Sequence, residues 1–287
     1  MNNVKTVGLL AFMSILLVVV IQAYGGSAVT ALAFAAIFNL GAYFFSDKLA
    51  IAASRAKAVE EHELPQVYAI VRRLALQADM PMPRIYLMDS PQPNAFATGR
   101  NPKNAAVAVT SGILQVMTNE ELEAVLAHEL AHVRNRDILI SSIAAMIAAA
   151  LSMLARFAFF FGGGGRSNRD NPVGAIGMIL VLILGPVAAM FIRFAISRAR
   201  EFQADASGAA LTGQPLHLAS ALRKIGAATE RIPMQVNPAV SQLFIANPLK
   251  SLGGRGGVSQ LSKLFSTHPP MEERVARLEE MAYGGPI

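Results

Sequence analysis

The chain has 287 residues, of which 53% are hydrophobic and only 15% are charged, whereas about a quarter of the residues of soluble domains are charged. It contains no cysteine, which excludes disulfides and thiolate metal sites and leaves His, Asp and Glu as possible metal ligands. The net charge of +6, without basic runs interleaved with aromatic residues, favours contact with an anionic membrane surface over nucleic-acid binding.

The N-terminal part holds two apolar runs without any charged residue, at positions 7–24 and 28–45. A helix needs about 20 residues to cross the hydrocarbon layer, so both runs are long enough to span a membrane. We predict that residues 1–46 form a transmembrane hairpin that turns at Gly25. The alternative for the first run is a cleaved signal peptide, but the apolar part of such peptides is only about 7–15 residues long.

The first predominantly polar segment covers residues 47–137. Its apolar periodicity and its turn residues predict two helices and a small β-structure. The predicted elements are a helix over 63–77, a strand over 84–88, a proline-rich turn over 89–94, a strand over 105–110 and a helix over 122–132.

The last of these helices carries the pattern H-E-x-x-H as His128, Glu129 and His132. Residues four apart lie on one face of a helix, so both imidazoles can reach one metal ion. Glu129 follows the first histidine directly and can hold and deprotonate a water beside that ion. This helix is therefore predicted to carry a catalytic metal site.

Two further apolar runs, at positions 138–161 and 173–196, predict a second transmembrane hairpin within residues 138–196. The alternative is a pair of buried core helices. Lys and Arg are concentrated next to the outer ends of both hairpins, which predicts that everything outside the hairpins is cytoplasmic. Arg166 and Arg169, in the loop between these two runs, argue weakly against that orientation.

The C-terminal segment, residues 197–287, predicts three more helices, over 197–210, 216–227 and 270–281, and a mobile glycine-rich stretch over 247–258. We predict that this segment and residues 47–137 fold together as one domain, which the second hairpin interrupts. The expected fold class is a mainly α integral membrane protein with four transmembrane helices and a cytoplasmic α+β domain that contains a small sheet.

A catalytic zinc site uses three protein ligands and a water, so the two histidines need a partner. The candidates are His62, His217, His268 and a carboxylate, of which Glu201 stands out because it lies five residues beyond the fourth apolar run. Asp205 follows Glu201 at helical spacing. Its carboxylate could accept a hydrogen bond from a ligand histidine and fix that ring's tautomer.

The ligand candidates also lie at matching distances from the predicted membrane hairpin. His132 precedes the third run by six residues, and Glu201 follows the fourth by five. At about 1.5 Å per helical residue, both lie roughly 10 Å from the membrane boundary. The hairpin is therefore predicted to brace a site that faces the cytoplasmic surface of the membrane.

The order of these motifs resembles one known family. HELAH, two apolar runs, SRAREFQAD and STHPPMEERVARL occur in this sequence in the order typical of HtpX, a family of bacterial membrane-bound zinc metalloproteases, and the resemblance includes NAFATG at 94–99. It implies a zincin-like protease domain at the inner membrane, one Zn²⁺ held by His128, His132 and Glu201, and Glu129 as the catalytic carboxylate. It places Asp205 as a supporting acid behind the zinc ligands.

The resemblance also implies groups that stabilise the oxyanion of the reaction. His268 and Arg274 fall where related enzymes have such groups, and their positive charge suits that role. The alternative reading is a helix cap and a surface arginine.

Residues 105–110 are predicted to be an edge strand that binds an extended substrate through its main chain, at Ala106, Val107 and Ala108. The alternative is an internal strand. Asn94 and Phe96 are further candidates for the lining of the cleft.

The sequence thus predicts an endopeptidase that hydrolyses membrane-associated or misfolded membrane proteins. The resemblance to HtpX implies that it does so in membrane-protein quality control. The expected partners are polypeptide substrates and the lipid bilayer, and the oligomeric state stays open. Two alternatives are a protease that processes lipidated C-termini and a non-catalytic membrane scaffold with structural zinc, which would need a fourth protein ligand.

Overall fold

A computed structural model describes residues 27–143, 198–251 and 269–284, together with individual positions between 7 and 22. Within these residues the fold is mostly helical with one small mixed sheet, as the sequence predicted. The helices are α1 (Ala28–Ser54), α2 (Pro65–Gln77), α3 (Ser111–Val116), α4 (Asn119–Arg134), α5 (Arg198–Thr212), α6 (Pro215–Arg231) and α7 (Met271–Ala282). The strands are β1 (Lys57–Ala58), β2 (Arg84–Met88), β3 (Ala95–Gly99) and β4 (Ala105–Thr110).

Helix α1 is the candidate membrane span. Its 27 residues include an apolar window of which only 17% is buried, so most of its apolar side chains face outward. Ser27 caps its first turn by accepting a hydrogen bond from the Thr30 amide, and the chain leaves the helix at Arg55 in a left-handed conformation (φ 59°). Among the described residues, no other helix is long and apolar enough to cross a membrane.

The rest of the predicted membrane region is described only in part. The described positions between 7 and 22 are helical. Asn39 of α1 contacts this segment, because its amide donates hydrogen bonds to the Leu10 carbonyl and the Ser14 hydroxyl. Of the second predicted hairpin, residues 138–143 are helical and the remainder lies outside the described residues. Four transmembrane helices therefore stay a prediction.

The sheet has the strand order β1-β2-β4-β3. Strand β4 pairs in parallel with β2 and antiparallel with β3, and all six of its residues are buried. The prediction of an edge strand at Ala106, Val107 and Ala108 is therefore wrong. A run of small apolar residues without alternation is typical of a strand covered on both faces. The edges of the sheet are formed by β1 and β3.

Helix α4 lies at the centre of the domain. Thr118 and Glu121 form a reciprocal capping box at its start, which satisfies two amide groups that would otherwise lack partners. One hydrophobic core combines residues that precede the predicted second hairpin, such as Val125, with residues that follow it, such as Leu222 and Leu278. The boundaries of the predicted domain segments stay a prediction.

Candidate metal centre

Two helices bring the predicted metal ligands together. Helix α4 presents His128 and His132 one turn apart, and α5 presents Glu201 from its first turn. The His128 Nε2 atom lies 4.0 Å from one Glu201 carboxylate oxygen, and the His132 Nε2 atom lies 3.5 Å from the other. One ligand atom from each residue lies within 4.8 Å of the others, in the one such cluster that the described residues contain. His132 and Glu201 are 69 positions apart in the sequence, yet they belong to one site.

A glycine permits the close approach of α5 to α4 at this site. A Cβ atom on Gly208 would lie 2.8 Å from the backbone nitrogen of His128 and 2.9 Å from its Cα. Contacts under 3.0 Å essentially never occur at a real Cβ atom. Gly208 therefore sets the spacing that lets Glu201 and Asp205, on the same helix, reach the His128 side chain.

Asp205 and Arg274 form a buried ion pair behind His128. Asp205 Oδ1 lies 2.9 Å from His128 Nδ1. It can accept a hydrogen bond from a protonated Nδ1, which leaves Nε2 as the ligand atom. Arg274, in α7, donates two hydrogen bonds to Asp205, from Nε at 2.8 Å and from Nη2 at 2.7 Å. A third, from Nη1, goes to the Ile245 carbonyl at 3.0 Å.

Arg274, for which an oxyanion role is predicted, is held inside the domain. The side chain is fully buried, and its guanidinium lies 3.4–3.5 Å from the two ring nitrogens of His128. It does not line the cavity in front of the histidines. Its donors contact Asp205 and the Ile245 carbonyl, and Nη1 lies 3.8 Å from a Glu201 oxygen. Arg274 thus supports Asp205 and His128, and its oxyanion role stays a prediction.

His132 has a carboxylate partner of its own that was not predicted from the sequence. Asp137, three residues beyond α4, places Oδ2 3.4 Å from His132 Nδ1. Arg200 of α5 approaches the other Asp137 oxygen at 3.7 Å. Asp137 could have been noticed because it follows His132 at a distance of five residues, but its orientation depends on Arg200 from beyond the predicted hairpin.

Burial and neighbouring charges shift the pKa values of the two histidines in opposite directions in the metal-free protein. Burial lowers the pKa of His128 to about 4, with Arg274 adding to the effect and Asp205 opposing it. Burial also acts to lower the pKa of His132, but the contact with Asp137 and the charges of Glu201 and Glu129 raise it to about 9. His128 is therefore neutral and ready to bind a metal, whereas His132 must release a proton first.

The pKa values of the Glu129 and Asp205 carboxyls are also shifted in opposite directions. Burial raises the pKa of Glu129 to about 8, and the neighbouring charge of Glu201 adds to the effect. Burial acts in the same direction on Asp205, but its charge interaction and hydrogen bonds with Arg274 outweigh it and leave the pKa lowered. Glu129 thus binds protons readily while Asp205 stays ionised, which suits a proton acceptor and a fixed hydrogen-bond partner.

A small cavity of about 30 Å³ lies in front of the histidines. It has room for about one water molecule. The predicted residues His128, Glu129, His132 and Glu201 line it, together with Ala97 of β3. The other contributors were not predicted and are Asp137, Ile138, Ser141, Arg200 and residues 242–245.

The remaining predicted site residues lie elsewhere. Asn94 is fully buried and donates a hydrogen bond to the Ala246 carbonyl at 2.9 Å. Phe96 is fully buried against Phe244, with ring centroids 4.9 Å apart. Neither lines the cavity, because both side chains hold residues 244–246 against β3. His268 lies outside the described residues.

Comparison with known proteins agrees with this geometry. Residues 61–282 match the model of peptidase family M48. Two "Protease HtpX homolog" proteins are similar over almost the whole chain. The one from Pelotomaculum thermopropionicum is 48% identical over 98% of this chain and 100% of its own length. The one from Thermodesulfovibrio yellowstonii is 49% identical over 98% of this chain and 99% of its own.

The chain belongs to peptidase family M48. The two full-length relatives confirm the predicted resemblance to the HtpX family within it. The crystal structure of S. mikatae Ste24p has a similar fold, with a TM-score of 0.51 over 97% of this chain at 19% identity. This chain spans only 65% of the Ste24p chain.

The side chains of His128, His132 and Glu201 suit a metal site, as expected of an M48 peptidase. Zinc binds His nitrogen and carboxylate oxygen at about 2.0–2.2 Å in tetrahedral geometry, which puts neighbouring ligand atoms roughly 3.4 Å apart. One ligand atom from each residue lies within 4.8 Å of the others. The histidine–carboxylate distances are 3.5 and 4.0 Å, each to a different Glu201 oxygen. Both Nδ1 atoms are occupied by carboxylates, so both Nε2 atoms are left for a metal. The cluster thus fits one divalent ion with three protein ligands.

Proposed function

We propose that this protein is a membrane-bound, zinc-dependent endopeptidase. One observation carries the proposal: the His128, His132 and Glu201 ligand atoms converge within 4.8 Å of one another, and Glu129 lines the same small cavity. Three ligands leave a tetrahedral ion one position for water or substrate, as in catalytic sites, whereas structural zinc sites use four protein ligands.

Glu129 is the residue that moves protons in this mechanism. A bound zinc ion would supply Lewis acidity that acidifies the attacking water and polarises the scissile carbonyl. Glu129 accepts the proton of that water and delivers it to the leaving amine. Burial raises the pKa of Glu129 to about 8 in the metal-free protein. A bound divalent cation would lower this pKa and favour the carboxylate form that accepts the proton. Asp205 and Asp137 keep the two histidine rings in the required tautomer and orientation.

The edge strand β3 replaces β4 as the proposed substrate-binding strand. Ala97 of β3 lines the cavity beside Glu129, and β3 is the outermost strand of the sheet on that side. An extended peptide can pair with such an edge through main-chain hydrogen bonds, which gives affinity with little sequence preference. Phe244 already forms one bridge to Phe96 at the start of this edge, so a substrate would pair beyond it.

The exposed apolar surface of helix α1 supports membrane-associated proteins as the substrates. Helix α1 exposes large apolar side chains along its length, and residues 138–143, at the start of the predicted second hairpin, contribute Ile138 and Ser141 to the metal cavity. We propose that the site works at the cytoplasmic face of the bacterial inner membrane in a multi-pass protein. Its substrates would be membrane-associated or misfolded membrane proteins, and its role membrane-protein quality control.

The test is Glu129→Gln in the full chain, purified in detergent with zinc. We expect the variant to keep one zinc per chain, because Glu129 is not a ligand, while casein hydrolysis falls by orders of magnitude. The matched control is Glu123→Gln on the same helix, where the side chain is partly exposed and paired with Arg73; it should retain full activity. Undiminished hydrolysis in Glu129→Gln would refute the mechanism, and wild-type protein that binds zinc without cleaving casein would indicate a structural metal.

A further inference from the structure

A crevice lies where the membrane helix meets the protease domain. One cavity of about 820 Å³ opens between α1 and the loop that joins β3 to β4. A neighbouring cavity of about 660 Å³ shares Arg100 and Lys103 of that loop as lining residues. Neither cavity includes a residue of the metal site, so the crevice is a separate feature of the molecule.

The lining of this crevice is strongly basic. Five basic side chains line the two cavities: Lys48, Arg84, Arg100, Lys103 and Arg136. Among the described residues that line the two cavities, Asp47 is the single carboxylate, and it is buried. Arg84 binds this carboxylate at 2.6 Å, so four positive charges remain uncompensated within the lining. A site with this charge is suited to an anion.

The apolar side of the crevice comes from α1. Ile37, Leu40, Phe44 and Phe45 line the larger cavity, and each of them is 46–69% exposed. The cavity therefore has an apolar wall on the helix and a basic wall on the loop. A ligand that is apolar at one end and anionic at the other matches this division.

As a membrane span, α1 is long enough to put the change from apolar to basic lining at the membrane boundary. Its 27 residues extend about 40 Å, whereas the hydrocarbon layer is about 30 Å thick. The end that leaves the layer is the C-terminal one, because Asp47, Ala50 and Ser54 are buried against the domain. With α1 as a membrane span, Lys48 would lie at the level of the lipid headgroups, and Ile37, Leu40 and Phe44 would lie beside the acyl chains.

The basic wall is held in place before any ligand binds. Arg100 donates a hydrogen bond to the Phe44 carbonyl at 3.2 Å and lies 5.3 Å from the centre of the Phe44 ring. A second hydrogen bond goes to the Asn104 side chain at 3.2 Å. Asn101 caps the short 3₁₀ turn of the loop by accepting from the Asn104 amide at 3.0 Å. These contacts fix the loop against α1. Ligand binding therefore costs little conformational entropy in the loop.

We propose that this crevice binds one anionic phospholipid of the bilayer. The headgroup phosphate contacts Lys48, Arg100 and Lys103, and the acyl chains lie along Ile37, Leu40 and Phe44 of α1. The site would fix the domain to the membrane at a defined position, next to the loop that begins at the end of β3. Its existence does not depend on the proposed catalysis, so binding can be measured in a Glu129→Gln background.

The experiment titrates delipidated, detergent-solubilised protein with lipid and counts bound lipid by native mass spectrometry. The probes are phosphatidylglycerol, the neutral phosphatidylcholine, and glycerol phosphate as a headgroup without chains. We expect one saturable phosphatidylglycerol per chain, weaker phosphatidylcholine binding and no competition from glycerol phosphate. Lys48→Gln with Lys103→Gln removes two exposed charges and should weaken phosphatidylglycerol binding roughly 25-fold, at roughly fivefold for each basic residue.

The matched control is Arg72→Gln with Arg223→Gln, which removes two charges from half-exposed surface ion pairs outside the crevice. It should change the phosphatidylglycerol affinity less than twofold. The single variant Lys103→Gln, in an exposed loop position, gives a second measurement if the double variant folds poorly, and should weaken binding about fivefold. Equal binding of the two lipids, equal loss in the control, or displacement by glycerol phosphate would each overturn the proposal.

Discussion

Asp205 of α5 lies 2.9 Å from Nδ1 of His128 in α4 and accepts two hydrogen bonds from Arg274 in α7. One carboxylate therefore connects three helices behind the candidate metal. Because all three side chains are buried, the charges of this cluster are screened little by solvent. The orientation of a metal ligand and the packing of the domain thus depend on the same group.

Asp205→Asn should weaken zinc binding. The amide keeps the size of the carboxylate but loses the charge that favours the Nδ1-protonated tautomer of His128. Loss of such a supporting partner typically costs about 10–100-fold in metal affinity. Competition with a chromophoric chelator measures this, with Asp89→Asn, in an exposed turn, as the control. Unchanged zinc affinity in Asp205→Asn would contradict the role assigned to this contact.

Arg274→Met should destabilise the fold and the metal site together. The substitution leaves Asp205 buried without its cation, and breaking a buried ion pair by removing one partner costs about 3–5 kcal/mol. Melting temperature and zinc content are the measurements. Arg277→Met on the same helix is the control, since that side chain is 55% exposed and rests on Phe202. An oxyanion group would give a different result: normal stability and zinc content with a lowered kcat.

The sequence predicted the parts of the site that follow from helical spacing. His128 and His132 share one face of α4 because they are four residues apart, and Glu201 and Asp205 share one face of α5 for the same reason. Strands β2 and β4 begin and end where the residue pattern placed them. These features depend on helical spacing and on local composition, both of which a single sequence displays.

The failures concern contacts between distant segments. Strand β4 became internal because β3 pairs with its outer side, and nothing within residues 105–110 reveals that partner. Strand β3 was missed, since it follows a proline-rich turn and lacks alternation. The engagement of Arg274 with Asp205 and the approach of Arg200 to Asp137 require the tertiary fold, so the sequence could assign a charge but not a direction.

Gly208→Ala should move α5 away from α4. The added methyl group would meet the His128 backbone at 2.8–2.9 Å, and backbone atoms, unlike side chains, cannot rotate aside. We expect zinc affinity to fall at least tenfold and the unfolding free energy by about 1–3 kcal/mol, as for other overpacking substitutions. Gly226→Ala in α6 is the matched control. Its methyl group would meet only the flexible Met271 side chain at 3.2 Å, and Ala is the better helix former by about 1 kcal/mol.

If Gly208→Ala binds zinc as tightly as the wild type, the spacing of the two helices does not control the site. If Gly226→Ala shows the same losses, the effect belongs to helical glycines in general. Thermal unfolding and chelator competition on both variants separate these outcomes.

The stability of the metal-free protein should fall as the pH rises from about 6.5 to 9. The pKa of His132 is raised from 6.5 to about 9, so its contribution to stability is complete below pH 6.5 and is lost as the pH passes 9. Burial raises the pKa of Glu129 from 4.5 to about 8. Since the folded state then binds more protons than the unfolded state, rising pH removes stability through this group as well.

Zinc should reverse this dependence, because its binding requires a neutral His132 and releases the proton. We expect zinc affinity to increase with pH up to about 9, by about tenfold per pH unit for each proton displaced. Melting temperatures with and without chelator across this range provide the measurement. Asp137→Asn removes a group that raises the pKa of His132, so the loss of stability in the metal-free variant should occur at lower pH. A metal-free melting temperature that is constant or rises between pH 6.5 and 9 would show that these protons are not held by the fold.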